Sequence, residues 1–118
     1  MPLTLAENIN VYISLTPVDM RKSINGLSAL VLSVFKKQPT SGHLFVFYNQ
    51  SKDKIKILHW DRNGFFLYYK RLEKGKFRFK KTADEVVELS TDQLSWLLAG
   101  LDFMLMNDFK ELNYSNYY

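Results

Sequence analysis

The sequence predicts an α+β fold: an antiparallel β-meander of four to five strands, with one long helix packed on one face and a shorter C-terminal helix. Three observations support this. Residues 20–36 place Ile24, Leu27, Leu30, Val31, Val34 and Phe35 at helical spacing, a one-sided apolar stripe. Residues 43–80 hold runs of strand-forming residues divided by turn signals, the strongest being Asn63-Gly64. Ser90 and Gln93 have the spacing of a capping box that opens a second helix.

The first element is a short strand, residues 9–15, where apolar and polar side chains alternate. Thr16-Pro17-Val18-Asp19 ends it, and Asp19 is placed to N-cap a helix that begins at Met20. Gly26 falls inside that helix at a cost of roughly 1 kcal/mol against Ala, which points to close approach by another element. Gln38-Pro39-Thr40-Ser41-Gly42 is a loop. Residues 43–48, His-Leu-Phe-Val-Phe-Tyr, form an almost unbroken apolar run, as in a strand covered on both faces. Residues 54–61 and 65–72 flank Asn63-Gly64 as the arms of a hairpin. Residues 76–80 follow the weaker Lys74-Gly75 turn as a fourth meander strand, and residues 85–89 are a candidate fifth. The second helix runs to about Leu98, with Gly100 as its C′ residue.

A length of 118 residues fits one domain, 1–118, able to bury a core without disulfides or metal. A hydrophobic fraction of 47% argues against disorder. The absence of cysteine excludes a disulfide framework, thiol catalysis and cysteine-based zinc sites. No apolar run reaches the roughly 18 residues of a membrane span, and the first residues lack the pattern of a signal peptide. The expectation is a cytoplasmic protein without membrane association.

Charge is unevenly distributed. The net +4 divides into +2 for residues 1–42, +8 for residues 43–81 and −6 for residues 82–118. Two readings follow: an anionic partner for the middle segment, or internal pairing between the middle and the acidic end. If both hairpin turns use two-residue loops at Asn63-Gly64 and Lys74-Gly75, cross-strand rows follow. One face carries Lys54–Glu73–Lys76, Lys56–Arg71–Arg78, Leu58–Tyr69–Lys80 and Trp60–Leu67. The other carries Ile55–Leu72–Phe77, Ile57–Lys70–Phe79 and His59–Tyr68–Lys81, the better core face. The row Lys56–Arg71–Arg78 sets like charges side by side, which is locally destabilising unless an anion such as a phosphate backbone meets it. The plainer reading is that the long side chains splay into screened solvent.

Arg21 and Lys22 would stand in the first helical turn, where cations oppose the helix dipole. Two readings stay open there. They receive a phosphate or a partner carboxylate, or Arg21 bonds Asp61 or an acidic residue of the 84–92 region. For chemistry of its own the chain offers little. Asp19 reads as a cap, Asp61 as a turn residue beside Arg62-Asn63-Gly64, and Glu73 as the cross-strand partner of lysines. His43 and His59 fall on neighbouring strands but lack a third ligand for zinc. No glycine-rich phosphate loop or nucleophile elbow is present. The expectation is no enzyme activity, no cofactor and no metal.

Three stretches together carry a family resemblance: Val18-Asp-Met-Arg-Lys-Ser-Ile-Asn-Gly-Leu27, Ser41-Gly-His-Leu-Phe-Val-Phe47, and Ile55-Lys-Ile-Leu-His-Trp-Asp61 running into Gly64-Phe-Phe-Leu-Tyr-Tyr-Lys-Arg-Leu-Glu-Lys-Gly-Lys-Phe77. The sequence resembles the accessory proteins encoded by the second open reading frame of insertion-sequence-66-type bacterial transposable elements. The resemblance spans about residues 9–102, leaving 103–118 as a variable tail rich in Tyr and Asn. It departs from the family pattern at Ser23-Ile24, where the family usually has a small residue and Phe. It departs again at His59-Trp60-Asp61, where the family often has Trp-Trp-Asp, which argues against His59 as an essential ligand.

The resemblance implies a protein needed alongside a separate transposase. Its partners would be the transposase, other proteins of the same element, and DNA at the transposon ends. On the first hypothesis it binds DNA through Arg21, Lys22, Lys54, Lys56, Tyr69, Arg71, Lys76, Arg78 and Lys80. The alternative is a module that docks on the transposase without touching DNA, through Tyr48, Trp60, Tyr68 and Tyr69. An enzyme such as a nuclease ranks last.

Overall fold

The computed structural model describes residues 9–79 and 82–100. Five strands form one sheet: β1 (Val11–Ser14), β2 (Leu44–Tyr48), β3 (Lys54–Asp61), β4 (Gly64–Arg71) and β5 (Val86–Leu89). Their spatial order is β4-β3-β2-β1-β5. Helix α1 (Ile24–Leu30) passes directly into a π-helical turn, Val31–Phe35, and helix α2 spans Thr91–Leu98. The predicted α+β class and both helices are present.

The sheet is mixed rather than wholly antiparallel. β1 pairs with β2 in parallel, Val11 opposite Leu44 and Ile13 opposite Val46. The long connection through α1 makes this possible, because a parallel pair needs a crossover rather than a tight turn. β5 then returns to the outer edge of β1 and pairs antiparallel, Val11 opposite Leu89. Only β2, β3 and β4 form a meander.

Each face of the sheet has its own core. α1 and the π-turn bring Leu27, Val31 and Phe35 onto Tyr12, Phe45, Phe47 and Leu58. On the opposite face, Leu94, Trp96 and Leu97 of α2 join Val11, Ile13, Leu44, Val46 and Ile57. All five residues of β2 are buried, as its unbroken apolar run predicts. The same double coverage buries all four residues of β1, polar Ser14 included.

The first helical run starts at Ile24 rather than Met20 and ends at Phe35, its last five residues π-helical, against the predicted span of 20–36. Asp19 does not cap it. Its carboxylate accepts the Arg21 backbone N–H at 2.8 Å, and its carbonyl accepts the Lys22 N–H at 3.1 Å, closing a turn instead. The Lys56 ammonium on β3 donates to the carbonyls of Met20 and Lys22, 2.8 Å in each case. An α-helix begun at Met20 would need those carbonyls for the amides of Ile24 and Gly26, so a sheet lysine delays the start to Ile24. Gly26 fits this account. A Cβ there would lie 3.3 Å from Cβ and Cγ of Lys22, so the close neighbour is the preceding turn.

The predicted fourth meander strand does not form, and the segment leaves the ladder. Leu72 N–H donates to Asp53 O at 2.8 Å, the chain turns through Gly75 at φ 79°, and Phe77 N–H donates to Lys52 O at 2.7 Å. Phe77 is buried in the α2-side core, and Phe79 stacks on Tyr48 at 3.9 Å between ring centres. Burial of two aromatic rings outweighs a short edge ladder in this segment. Further on, α2 opens with the predicted box: Gln93 N–H donates to Ser90 Oγ and Ser90 N–H to Gln93 Oε1. Gly100 follows its C-cap at φ 82°. The predicted tail, 103–118, lies outside the described residues.

Candidate nucleic-acid interface

The β3–β4 hairpin turns one residue earlier than predicted. Arg62 takes the positive φ of 53°, and Asp61 pairs with Gly64. The β4 register therefore shifts by two residues, an even number, so the predicted faces survive while the rows change. Lys54 lies opposite Arg71, and Lys56 opposite Tyr69. The predicted row Lys56–Arg71–Arg78 is not formed, since Lys56 pairs with Tyr69 and no further strand lies beyond β4 among the described residues.

Most of the predicted site cations have local partners. Arg71 donates to both Glu73 carboxylate oxygens, the shorter contact being 2.7 Å. That bond, followed by the charge of Arg71, holds the Glu73 carboxyl below its ordinary range. Lys54 pairs with Asp53 at 3.2 Å. The Asp53 carboxyl is lowered first by the Asn49 side-chain amide and then by Lys54. Arg21 grips Asp19 at 2.6 Å, and this hydrogen bond brings the Asp19 pKa from 3.8 to about 2. The contribution of Asp19 is therefore complete above pH 3.8 and fades as pH falls through about 2. The partner of Arg21 is thus Asp19 rather than Asp61 or the 84–92 region, and Asp61 lies 3.6 Å from Arg62.

Lys56 has a structural task. Besides pinning the turn at Met20 and Lys22, its ammonium lies 5.6 Å from the Tyr69 ring centre. With the Val18 N–H bond to Tyr48 O at 2.8 Å and the packing of Val18 and Met20 on the core, this side chain holds residues 19–22 against the sheet. Lys22 and Arg78 are exposed and make no ion pair through their side chains among the described residues. Lys76 donates to Ser51 O at 2.8 Å, closing the segment after β4 onto the β2–β3 turn. Lys80 lies outside the described residues.

The result is a rim built from residues 49–54 and 71–78. It carries Lys52, Lys54, Arg71, Lys74, Lys76 and Arg78 against Asp53 and Glu73, a net +4. It continues along the strands into Lys56, Tyr69 and the Arg21–Lys22 turn. Cations can hold phosphates, and an exposed aromatic ring beside them can stack on a base or sugar. Sequence reasoning did not find the contribution of Lys52 and Lys74, whose positions depend on the clasp between the two loops.

The predicted aromatic surface is smaller than expected. Tyr48 is buried, donates its hydroxyl to Leu15 O at 2.6 Å, and has its phenol pushed up by burial. Trp60 is half-buried, edge-on to Phe65. Tyr69 is 53% exposed, and so is half of Phe66, on the other face of β4. Phe66 shares the face of His59 and Tyr68, which the strand alternation already assigned to the core side. A groove of about 710 Å³ lies on that side, lined by Ile55, Ile57, Tyr68, Leu94 and Leu98. Lys70 donates to Leu98 O there, anchoring the C-terminal carbonyls of α2.

The histidines do not meet as ligands. His59 is buried opposite Leu44 and stacks on Phe66, while His43 Nδ1 accepts the Asn10 N–H at 3.0 Å. No group of three or more His, Asp or Glu converges among the described residues. Burial, then Lys37, holds the His43 imidazole below its ordinary 6.5. A lowered folded pKa stabilises the fold above pH 6.5 and loses that stabilisation on acidification through the folded value. The thermal midpoint should thus fall between about pH 7.5 and about 5.5, and His43→Asn should show a smaller fall in the same scans.

Comparison with known proteins is consistent across the chain. A family model described as IS66 Orf2 like protein matches residues 9–108. The uncharacterized protein y4jC of Sinorhizobium fredii (strain NBRC 101917 / NGR234) is 37% identical over 98 residues, covering 83% of this chain and 84% of its own length. The uncharacterized protein y4hO of the same strain is 35% identical over 101 residues, covering 86% and 88%. No solved structure matches. No helix among the described residues is long and apolar enough to cross a membrane.

Proposed function

The chain belongs to the IS66 Orf2-like family, and from that premise we propose a non-catalytic accessory protein of insertion-sequence transposition that holds DNA phosphates on its cationic rim. Family membership links it to the transposition machinery; the rim supplies the reading of what it does there. The observation that carries this reading is the convergence of residues 49–54 and 71–78 into one net +4 surface, joined through Lys56 to Arg21 and Lys22. The protein acts in the cytoplasm, beside the transposase and at the ends of the element. Residues 9–102 form the unit that does this.

Arg71 is the informative residue, because Glu73 competes for its guanidinium. Glu73→Gln frees it, and should tighten binding to duplex DNA severalfold in an anisotropy titration. Arg71→Ala with Arg78→Ala should weaken binding and lower the salt dependence by about one contact for each phosphate released. Unchanged affinity in both variants excludes the rim as the contact surface.

A second reading is docking on the transposase without DNA. The pairing of Asp19, Asp53 and Glu73 with site cations favours it, and the groove between α2 and the β3–β4 sheet offers an apolar seat. Capture of the purified transposase in high salt, with no DNA binding in low salt, selects this reading.

A further inference from the structure

We propose that β4 is a dimerisation edge, pairing antiparallel with β4 of a second copy about a two-fold axis at Leu67. The proposal is independent of the DNA reading. Among the described residues β4 is an outer strand, with only β3 beside it. Leu72 N–H donates to Asp53 O, in phase with the pairs Lys70–Ile55, Tyr68–Ile57 and Phe66–His59. The alternation of an antiparallel ladder then leaves the N–H and C=O groups of Phe65, Leu67, Tyr69 and Arg71 pointing outward.

Natural edges are usually blunted by shortness, proline, bulges or charge. The other edge follows this rule: β5 has four residues, with Glu88 among them and Glu85 just before it. β4 does not. It pairs without a bulge through eight residues, contains no proline, and is uncharged from Gly64 to Tyr69. It also leaves Phe66 50% and Tyr69 53% exposed, one on each face.

A second copy is the occupant that fits, because β4 is complementary to itself. With Leu67 opposite Leu67 of the second copy, Phe66 faces its Tyr68 and Phe65 faces its Tyr69. Both are aromatic cross-strand pairs, a favourable class. In the same register Lys70 falls opposite Gly64 and Arg71 opposite Asn63, so no cations confront each other. The contact is isologous and closes at two subunits, giving one sheet of ten strands.

Sedimentation of the full chain from micromolar to submillimolar concentration tests this. The expected result is a concentration-dependent shift to twice the 13.9 kDa chain mass. Phe66→Lys, at an exposed position, should raise the dimer dissociation constant at least about tenfold while leaving the far-ultraviolet spectrum unchanged. The absence of native cysteine permits a register test. A directly opposed pair has Cα atoms about 5.5 Å apart, within disulfide reach. Leu67→Cys should cross-link on oxidation, and Tyr69→Cys, four residues out of register with its copy, should not. A monomer at all concentrations, larger open-ended species, or cross-linking at Tyr69→Cys in place of Leu67→Cys overturns the proposal.

Discussion

Phe45→Ala should cost the fold about 3–5 kcal/mol, the range for emptying a buried aromatic site. Phe45 is fully buried in β2, the middle strand of the sheet. Its ring lies 5.2 Å from Phe35 and 6.0 Å from Tyr12, so it joins the π-turn to β1. No side chain nearby can fill the space without leaving its own packing. Domains of this size hold only about 5–15 kcal/mol in total, and the thermal midpoint should fall by roughly 15–30 °C. Leu32→Ala is the control. Leu32 is apolar but half exposed, and its truncation should change stability by only about 0.5 kcal/mol.

Lys56→Met should have the next largest effect, about 2–3 kcal/mol. The substitution keeps most of the apolar stem and removes the donor that satisfies Met20 O and Lys22 O. Loss of a charged donor to two carbonyls differs from loss of a surface ion pair, which is worth about 0–1 kcal/mol. The damage should be local before it is global. Hydrogen exchange should accelerate at Lys22, whose amide is bonded to Asp19 O, and much less in β2. Equal acceleration across the sheet would show that Lys56 supports the core rather than the turn. The turn that carries Arg21 and Lys22 would also lose its tie to β3, so DNA affinity should fall with stability.

The same lysine explains what the sequence concealed. The apolar stripe of residues 20–36 made a long helix the natural reading, and Asp19 a natural cap. The competing bonds come from β3, far along the chain, and no local pattern announces them. By contrast the strand faces were legible from alternation alone. Shifting the hairpin from Asn63-Gly64 to Arg62-Asn63 moved β4 by two residues and preserved its faces. Lys56, Tyr69 and Arg71 thus share a face as predicted, although their cross-strand partners differ. The order of the sheet was hidden for another reason. A β1 beside β2 and a β5 beside β1 depend on crossovers, and the sequence marks the strands without marking their neighbours. The candidate site residues stand out in the sequence by type and spacing. Their local neutralisation was legible only in part, since Asp19 with Arg21 and Glu73 with Arg71 are close in sequence but need particular rotamers to meet.

The salt dependence of binding to duplex DNA tests the central claim most directly. An anisotropy titration from about 50 to about 300 mM salt, with element-end and unrelated duplexes, reports how many phosphates the protein engages. Each phosphate contributes about 0.9 to the slope of log K against log salt, so a rim holding four or five should give a slope near −4. The wild type should show that slope, and Arg71→Ala with Arg78→Ala a shallower one. Absence of binding at the lowest salt, or an affinity indifferent to salt, contradicts it.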